Sequence, residues 1–417
     1  MEKQSTPDAI RAEVQGWLAE NWDQDGSLVE WRGRLADSGW GCPTWPTQWC
    51  GKGLSRAEAD IVGEEFQKAG AVGPATGVGM VLAAATILEH GSDEIKGRFL
   101  RPIVTGEHTW CQLFSEPGSG SDLAGLTTRA ARDGDEWIVN GQKVWTSGAH
   151  RAAWGMLLAR TNWDVPKHRG ITFFAFPIQQ PGVEVRPLRQ MNGHASFNEV
   201  FMTDARVSNE NVVGEVDGGW AVALTTLAHE RGLASALGSA MRNMLGSGRA
   251  AGEALAEAAE YWKTYQWYPQ RAGRADLVTS QAVSTGRASD PTVRQHIAIV
   301  ETQQRVTRWN AERSQAARAK GRPPGPEGSL AKLSASNIAR AAASAHSEIA
   351  GAHAMLTGPD SPLGGIIAEV LVSVPAVSIA GGTDAIQHNI IGERVLDLPR
   401  EPQTDAEVAF RDLRTNT

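Results

Sequence analysis

Cys111-Gln112-Leu113-Phe114-Ser115-Glu116-Pro117-Gly118-Ser119-Gly120-Ser121-Asp122 decides how this chain is read. Apolar residues run into Ser115 and Glu116, a Pro-Gly turn follows, and a Gly-Ser-Gly-Ser run then exposes successive backbone N–H groups. Glycines admit positive φ and let an anion approach the backbone, so the run predicts a concave nest suited to phosphate oxygens. Composition alone also allows a flexible connector here. The residues around the run have to decide.

Working outward, 417 residues are enough for two or three packed units. Charged residues make up 21% and the net charge is -7, with basic residues scattered among acids, which argues against a nucleic-acid partner. Cys42, Cys50 and Cys111 form neither a CxxC pair nor a disulfide framework, so a reducing compartment is expected. The start, Met1-Glu2-Lys3-Gln4, lacks an apolar leader and no long uncharged apolar run occurs. A cytoplasmic protein without membrane insertion is therefore expected. No Gly-x-Gly-x-x-Gly follows a strand pattern, so nicotinamide binding is not supported, and no metal site is expected.

Three regions follow, at 1–108, 109–216 and 217–417. The first reads as helical. Thr6-Pro7 caps a helix with Ile10, Val14, Trp17 and Leu18 on one face, Ser55 to Ala69 is helical in pattern, and Ser92 caps an acidic first turn at Asp93-Glu94. The second reads as a mostly antiparallel β domain. Trp137-Ile138-Val139 leads to a hairpin-type Asn140-Gly141, and Gly155–Arg160, Gly170–Pro177 and Phe197–Thr203 are further strands. The third is alanine-rich and helical, over about 220–250, 252–265, 290–320, 328–355 and 364–378, with a break at Pro323-Pro324-Gly325-Pro326. Long helices joined by short turns predict an antiparallel bundle.

Lys143-Val144-Trp145-Thr146-Ser147 forms a second block, and Ile379-Ala380-Gly381-Gly382-Thr383-Asp384-Ala385-Ile386-Gln387 a third. Together with the first, and in this order, they resemble the signatures of the acyl-CoA dehydrogenase family. The resemblance implies an α+β fold with an N-terminal helical domain, a middle antiparallel β domain and a C-terminal helical bundle. It implies FAD as cofactor. Gln112, Leu113, Phe114 and Ser115 would then border the isoalloxazine ring, Gly120 and Ser121 would face pyrophosphate or substrate, and Trp145, Thr146 and Ser147 would lie beside the ring, Ser147 near N5. Thr383, with Ala385 in the same turn, would contact pyrophosphate at a helix N-terminus. Gly381 and Gly382 would border the acyl-CoA thioester.

One departure bears on catalysis. Many family members carry the catalytic glutamate where this chain has Gly381, and glycine cannot abstract a proton. A minority carry it on an earlier helix as Glu-Arg, and Leu224-Thr225-Thr226-Leu227-Ala228-His229-Glu230-Arg231-Gly232 has that pair. By this resemblance Glu230 is the base and Arg231 a substrate contact. A carboxylate titrates near ~4.3 in water and becomes more basic where bound substrate expels water. Removing an α-proton from a thioester also requires stabilising the enolate oxygen, for which the Gly381 N–H remains. The expected reaction takes the α-proton to Glu230 and the β-hydride to flavin N5, giving a trans-2-enoyl-CoA, with an electron-transfer flavoprotein as acceptor.

A second departure bears on assembly. The segments with which many relatives complete a neighbour's FAD are weak here, in Ser280–Arg294 and in Ser347–His353, where Gly351 is the clear match; Arg274 and Arg287 are candidate substitutes. Leu255–Leu277, with Trp262, Tyr265, Trp267 and Tyr268, reads as an insertion whose aromatics serve either helix packing or an interface. A homo-oligomer or an α2β2 heterotetramer with a related chain is expected. An acyl-CoA oxidase and a structural subunit of a mixed tetramer are the competing functions.

Overall fold

The computed structural model describes residues 6–230, 246–320, 325–402 and 405–413. They fall into two compact units, one of 1–188, 195–264 and 405–417, the other of 189–194 and 265–404.

In the first unit, Thr6 accepts from the Ala9 N–H to open α1 (Pro7–Asn21), and α2 (Leu28–Ser38) and α3 (Arg56–Ala69) follow. Ser55 and Glu58 form a reciprocal capping box on α3, satisfying two N–H groups the helix itself leaves open. Ile10, Val14, Trp31, Leu35 and Phe66 close a core that also takes Ala251 and Ala254 of α7 (Arg249–Lys263). A π-turn at Gly79–Ala83 leads into α4 (Ala84–His90), and Ser92 caps α5 (Asp93–Thr105).

The sheet of this unit comprises β1 (Trp110–Leu113), β2 (Arg129–Asp133), β3 (Glu136–Ser147), β4 (Trp154–Arg160), β5 (Ile171–Pro177), β6 (Val183–Leu188) and β7 (Phe197–Ser208). β2–β3, β3–β7, β4–β5 and β6–β7 pair antiparallel, while β1 runs parallel to β4. The apolar runs of β4 and β5 are buried on both faces. Met156, Leu158, Phe173 and Ala175 pack toward the helices, and Leu157, Ala159, Phe174 and Phe176 pack toward the other side. α6 (Gly219–Glu230) lies on the first of these faces through Val222 and Ala223. Its first residue has to be glycine, because a Cβ there would stand 2.5 Å from the Phe173 nitrogen.

Asn140-Gly141 is not a hairpin. It lies inside the continuous strand β3, at a register shift against β7, and the reversal between β2 and β3 is made at Gly134-Asp135 instead. Gly141 is required by proximity: an added Cβ would sit 2.8 Å from Thr128 Cα.

The second unit holds α8 (Val278–Ser284), α9 (Pro291–Ala319), α10 (Glu327–Ala350), α11 (Ile366–Ser373) and α12 (Asp384–Arg394). Small residues on α10 allow close approach: Ala342 and Ala345 pack with Val293 and Val300, Ala339 and Ala343 with Val370 and Val374. Of the aromatics read as serving either helix packing or an interface, Trp267 serves packing: it is core, 1% exposed and stacked on His194, whose Nε2 lies 2.9 Å from Glu369. Arg274 and Arg287 are both engaged within the chain, with Asp276 and with Asp290 and Glu348.

Candidate active site

β3 carries the second motif block across a bulge. Pairing with β7 is interrupted between Lys143 and Thr146, and the Val144 N–H turns aside to donate to the Ser115 carbonyl at 2.9 Å. The bulge holds Trp145 at φ 62°, a left-handed conformation unusual for a bulky residue, and leaves its indole 56% exposed with an edge contact to Phe197. The strained backbone thus presents the aromatic to the surface instead of to the core. Thr146 points the other way, buried, with its hydroxyl oxygen unpartnered among the described residues, and Ser147 is half-buried opposite Phe197.

Beneath this surface lies a buried ion pair. Lys143 Nζ donates to a Glu116 oxygen at 2.8 Å and to the Phe114 carbonyl at 3.0 Å. Glu116 also accepts from the Thr127 N–H, the Thr127 hydroxyl and the Thr128 N–H at 2.7–2.9 Å. Burial pushes the Glu116 carboxyl upward, but the Lys143 charge and these donors outweigh it and hold it at about 2. Burial likewise draws the Lys143 ammonium downward, and the adjacent carboxylate pulls it back. The pair thus fixes both ends of the glycine-rich loop to the strand that carries Trp145. Leu113 and Phe114 send their side chains into the core and offer only backbone to the surface. Gly120 and Ser121 stand exposed at the loop tip, with open space around Gly120.

Glu230 is the last described residue of α6, and the Gln112 side-chain amide donates to its carboxylate at 3.1 Å. Two polar ties fix α6 against α4: Thr86 to Thr226, and His90 Nε2 to Thr225, each at 2.8 Å. Arg231, and the part of the 220–250 helix expectation from 231 to 245, lie outside the described residues.

In the second unit Gly381 and Gly382 both have positive φ, 67° and 84°. Thr383 is the N-cap of α12: its oxygen accepts from the Ile386 N–H, leaving its O–H to donate. Ala385 lies in the first turn. Gln387 donates to the Gly381 and Gly382 carbonyls at 3.2 Å, and its own amide oxygen is buried without a partner among the described residues. Asp384 is anchored by Lys332 at 3.0 Å and Ser336 at 2.9 Å.

Three family descriptions match this chain: acyl-CoA dehydrogenase N-terminal domain at residues 2–107, middle domain at 111–205 and C-terminal domain at 278–396. The acyl-CoA dehydrogenase IpdE1 of Mycobacterium tuberculosis is 34% identical over 94% of this chain and 98% of its own length. The chain belongs to the acyl-CoA dehydrogenase family. By that membership it is an FAD-dependent oxidoreductase with the three-part acyl-CoA dehydrogenase architecture. Acyl-CoA dehydrogenase FadE34 of the same organism is 38% identical over 88% of this chain, which spans 46% of FadE34's length. Among solved structures, the ChsE4–ChsE5 complex from Mycobacterium tuberculosis aligns with TM-score 0.63 and 28% identity, over 96% of this chain and 100% of that one. The Tcur3481–Tcur3483 steroid ACAD aligns with TM-score 0.62 and 26% identity, over 95% of this chain and 98% of that one.

The residues of this acyl-CoA dehydrogenase fit FAD. An exposed strained indole, an unpartnered buried Thr146 hydroxyl and an open Gly-Ser loop tip suit a planar ring followed by a diphosphate. Two features escaped the sequence reading. The Glu116–Lys143 pair was hidden because its two residues lie in different motif blocks, 27 residues apart, and a carboxylate in one and an ammonium in the other are its only trace. Gln112 was read as a ring neighbour, and its bond to Glu230 spans 118 residues with no local signal.

Proposed function

We propose that this chain catalyses the α,β-dehydrogenation of an acyl-CoA thioester to the trans-2-enoyl-CoA, with Glu230 taking the α-proton. The observation that carries this reading is that Glu230 is held by Gln112, on the strand that opens the flavin signature, while position 381 is glycine. FAD, when bound, supplies the hydride acceptor for the β-carbon. Trp145 and Ser147 border its ring, Gln112 to Ser115 present backbone along it, and Gly120, Ser121, Thr383 and Ala385 serve its diphosphate or the substrate. Glu230 accepts the proton in an orientation set by Gln112. The Gly381 N–H serves the thioester oxygen as charge develops on it, with Gly382 beside it, and Arg231 is assigned to the substrate. The chain divides into an N-terminal helical segment to 108, a β segment to 216 and a helical remainder, and these roles fall in the second and third. An electron-transfer flavoprotein reoxidises the cofactor.

The steroid ACAD and the ChsE4–ChsE5 complex support two finer readings, a bulky acyl group such as a steroid side chain and an assembly with a related chain. An exposed apolar face on α9, made by Ile299, Val306 and Trp309, supports burial against another subunit. No helix among the described residues is long and apolar enough to cross a membrane, and a cytoplasmic location fits the composition.

The test is to purify the protein, identify the cofactor released on denaturation, and follow flavin bleaching across a panel of straight, branched and ring-bearing acyl-CoAs. FAD released, with bleaching by at least one thioester and formation of the 2-enoyl product, is expected. FMN alone, or no bleaching by any thioester in a flavin-loaded preparation, overturns the reading. Light scattering with flavin-to-protein stoichiometry separates a homo-oligomer carrying one FAD per chain from a mixed assembly.

A further inference from the structure

Arg160, at the end of β4, is fully buried and feels Glu116, Asp122 and Asp217 through their charge alone. Its guanidinium instead donates to three main-chain carbonyls: Ala124 at 2.6 Å, Leu126 at 3.1 Å and Lys167 at 3.1 Å. Two of these belong to the stretch that immediately follows the Gly-Ser loop. The open face of the guanidinium is covered by the Phe410 ring, whose centroid lies 3.5 Å away. Phe410 arrives on a segment that follows the last helix and pairs with the β4–β5 connection. Its N–H donates to the Val165 carbonyl at 2.9 Å, the Arg411 N–H donates to the Trp163 carbonyl at 3.0 Å, and Ala409 bridges Pro166. Lys167, on the same connection, joins Asp122 at 3.0 Å and Asp405 at 3.8 Å.

We propose that Asp405–Leu413 is a strap that sets the shape of the phosphate loop, with Phe410 as a positioning residue acting through Arg160. This rests on the reading of the loop as part of the flavin site. A buried guanidinium is expensive to desolvate, and the charges of Glu116, Asp122 and Asp217 only partly offset that cost. An aromatic face over a desolvated cation is a strong form of cation–π contact. Covering Arg160 keeps water from its donors, so they remain committed to the Ala124 and Leu126 carbonyls. Those carbonyls lie within the tight turn that brings the Thr127 and Thr128 N–H groups to Glu116. Loosening the strap therefore loosens the loop from its rear while leaving Ser121 and Trp145 untouched.

The experiment compares amide hydrogen exchange and FAD affinity in the full-length protein and in Phe410→Ala and Phe410→Leu. Phe410→Ala is expected to speed exchange at Gly125, Leu126, Thr127 and Thr128 about tenfold, and to weaken FAD binding by a similar factor. Amides of the β3–β7 ladder should be unaffected. Phe410→Leu, which fills the space without an aromatic face, should show the same pattern more weakly, and it supplies the answer if the alanine variant does not fold. Unchanged exchange at 125–128, or equal acceleration throughout the unit, overturns the strap. Failure of the flavin reading has a different signature: FAD would then leave exchange of Gly118–Ser121 unaltered in the unsubstituted protein, while the Phe410 effect on 125–128 would persist.

Discussion

Gln112 on β1 and Glu230 of α6 are joined by a 3.1 Å hydrogen bond from amide to carboxylate. One oxygen of the proposed base is therefore aimed by the strand that opens the flavin signature. The helix beneath the base is separately held by the Thr86–Thr226 and His90–Thr225 contacts. With glycine at position 381, Glu230 is the proposed base, and its placement rests on α6.

Gln112→Leu keeps the backbone and the volume but removes the amide. A hydrogen bond to a charged partner contributes roughly 1.5–3 kcal/mol. The variant is expected to lower kcat by about 10–100-fold while KM and flavin content change little. Steady-state kinetics on the flavin-loaded protein check this, and a change confined to KM would count against an orienting role.

The Glu116–Lys143 pair gives a pH dependence with a defined sign. Glu116 is held at about 2, below its ordinary value of ~4.3, so its contribution is present above about pH 4.3 and is lost as pH falls toward 2. Urea unfolding between pH 6 and pH 3 should show the protein losing stability more steeply than the Glu116→Gln/Lys143→Met double variant. Lys143→Met alone leaves a buried carboxylate and should cost about 3–5 kcal/mol, more than the double change.

Trp145 is expected to separate strain from function. Its φ of 62° disfavours β-branched side chains most. Trp145→Val should be less stable than Trp145→Gly by about 1–2 kcal/mol in chemical denaturation, and both should weaken FAD binding. Equal stabilities would mean that the strand relaxes out of the left-handed conformation without cost.

Gly219→Ala places a methyl group 2.5 Å from the Phe173 nitrogen and must push α6 away from β5. A loss of about 1–3 kcal/mol is expected, together with a fall in kcat exceeding any change in FAD content. Thermal melting and single-turnover bleaching on one preparation would reveal both.

The blocks assigned to the candidate site were legible where their residue types lie close together in sequence. The Gly-Ser loop, the Trp145 block and the Gly-Gly-Thr turn each keep their residue types adjacent in sequence, and Thr6, Ser55 and Ser92 announce their helices because caps are made within three residues. Long-range pairing was not legible. Arg129–Asp133 and Val183–Leu188 carry charges or a proline that mask strand character, and they become strands because β3 and β7 supply the ladder. Asn140-Gly141 carries the signal of a hairpin, yet the close approach of Thr128 turns it into a bulge within one strand. Sequence leaves Trp267 open between packing and an interface because its stacking partner, His194, lies 73 residues upstream.

The central claim is that Glu230 is the base. Glu230→Gln preserves size and the neighbourhood of Gln112 while deleting the proton acceptor. The decisive measurement is anaerobic mixing of flavin-loaded Glu230→Gln with an acyl-CoA that bleaches the unsubstituted enzyme. The account predicts unchanged FAD content and ligand binding with a bleaching rate lower by about 10²–10⁴-fold; bleaching at a near-normal rate would contradict it.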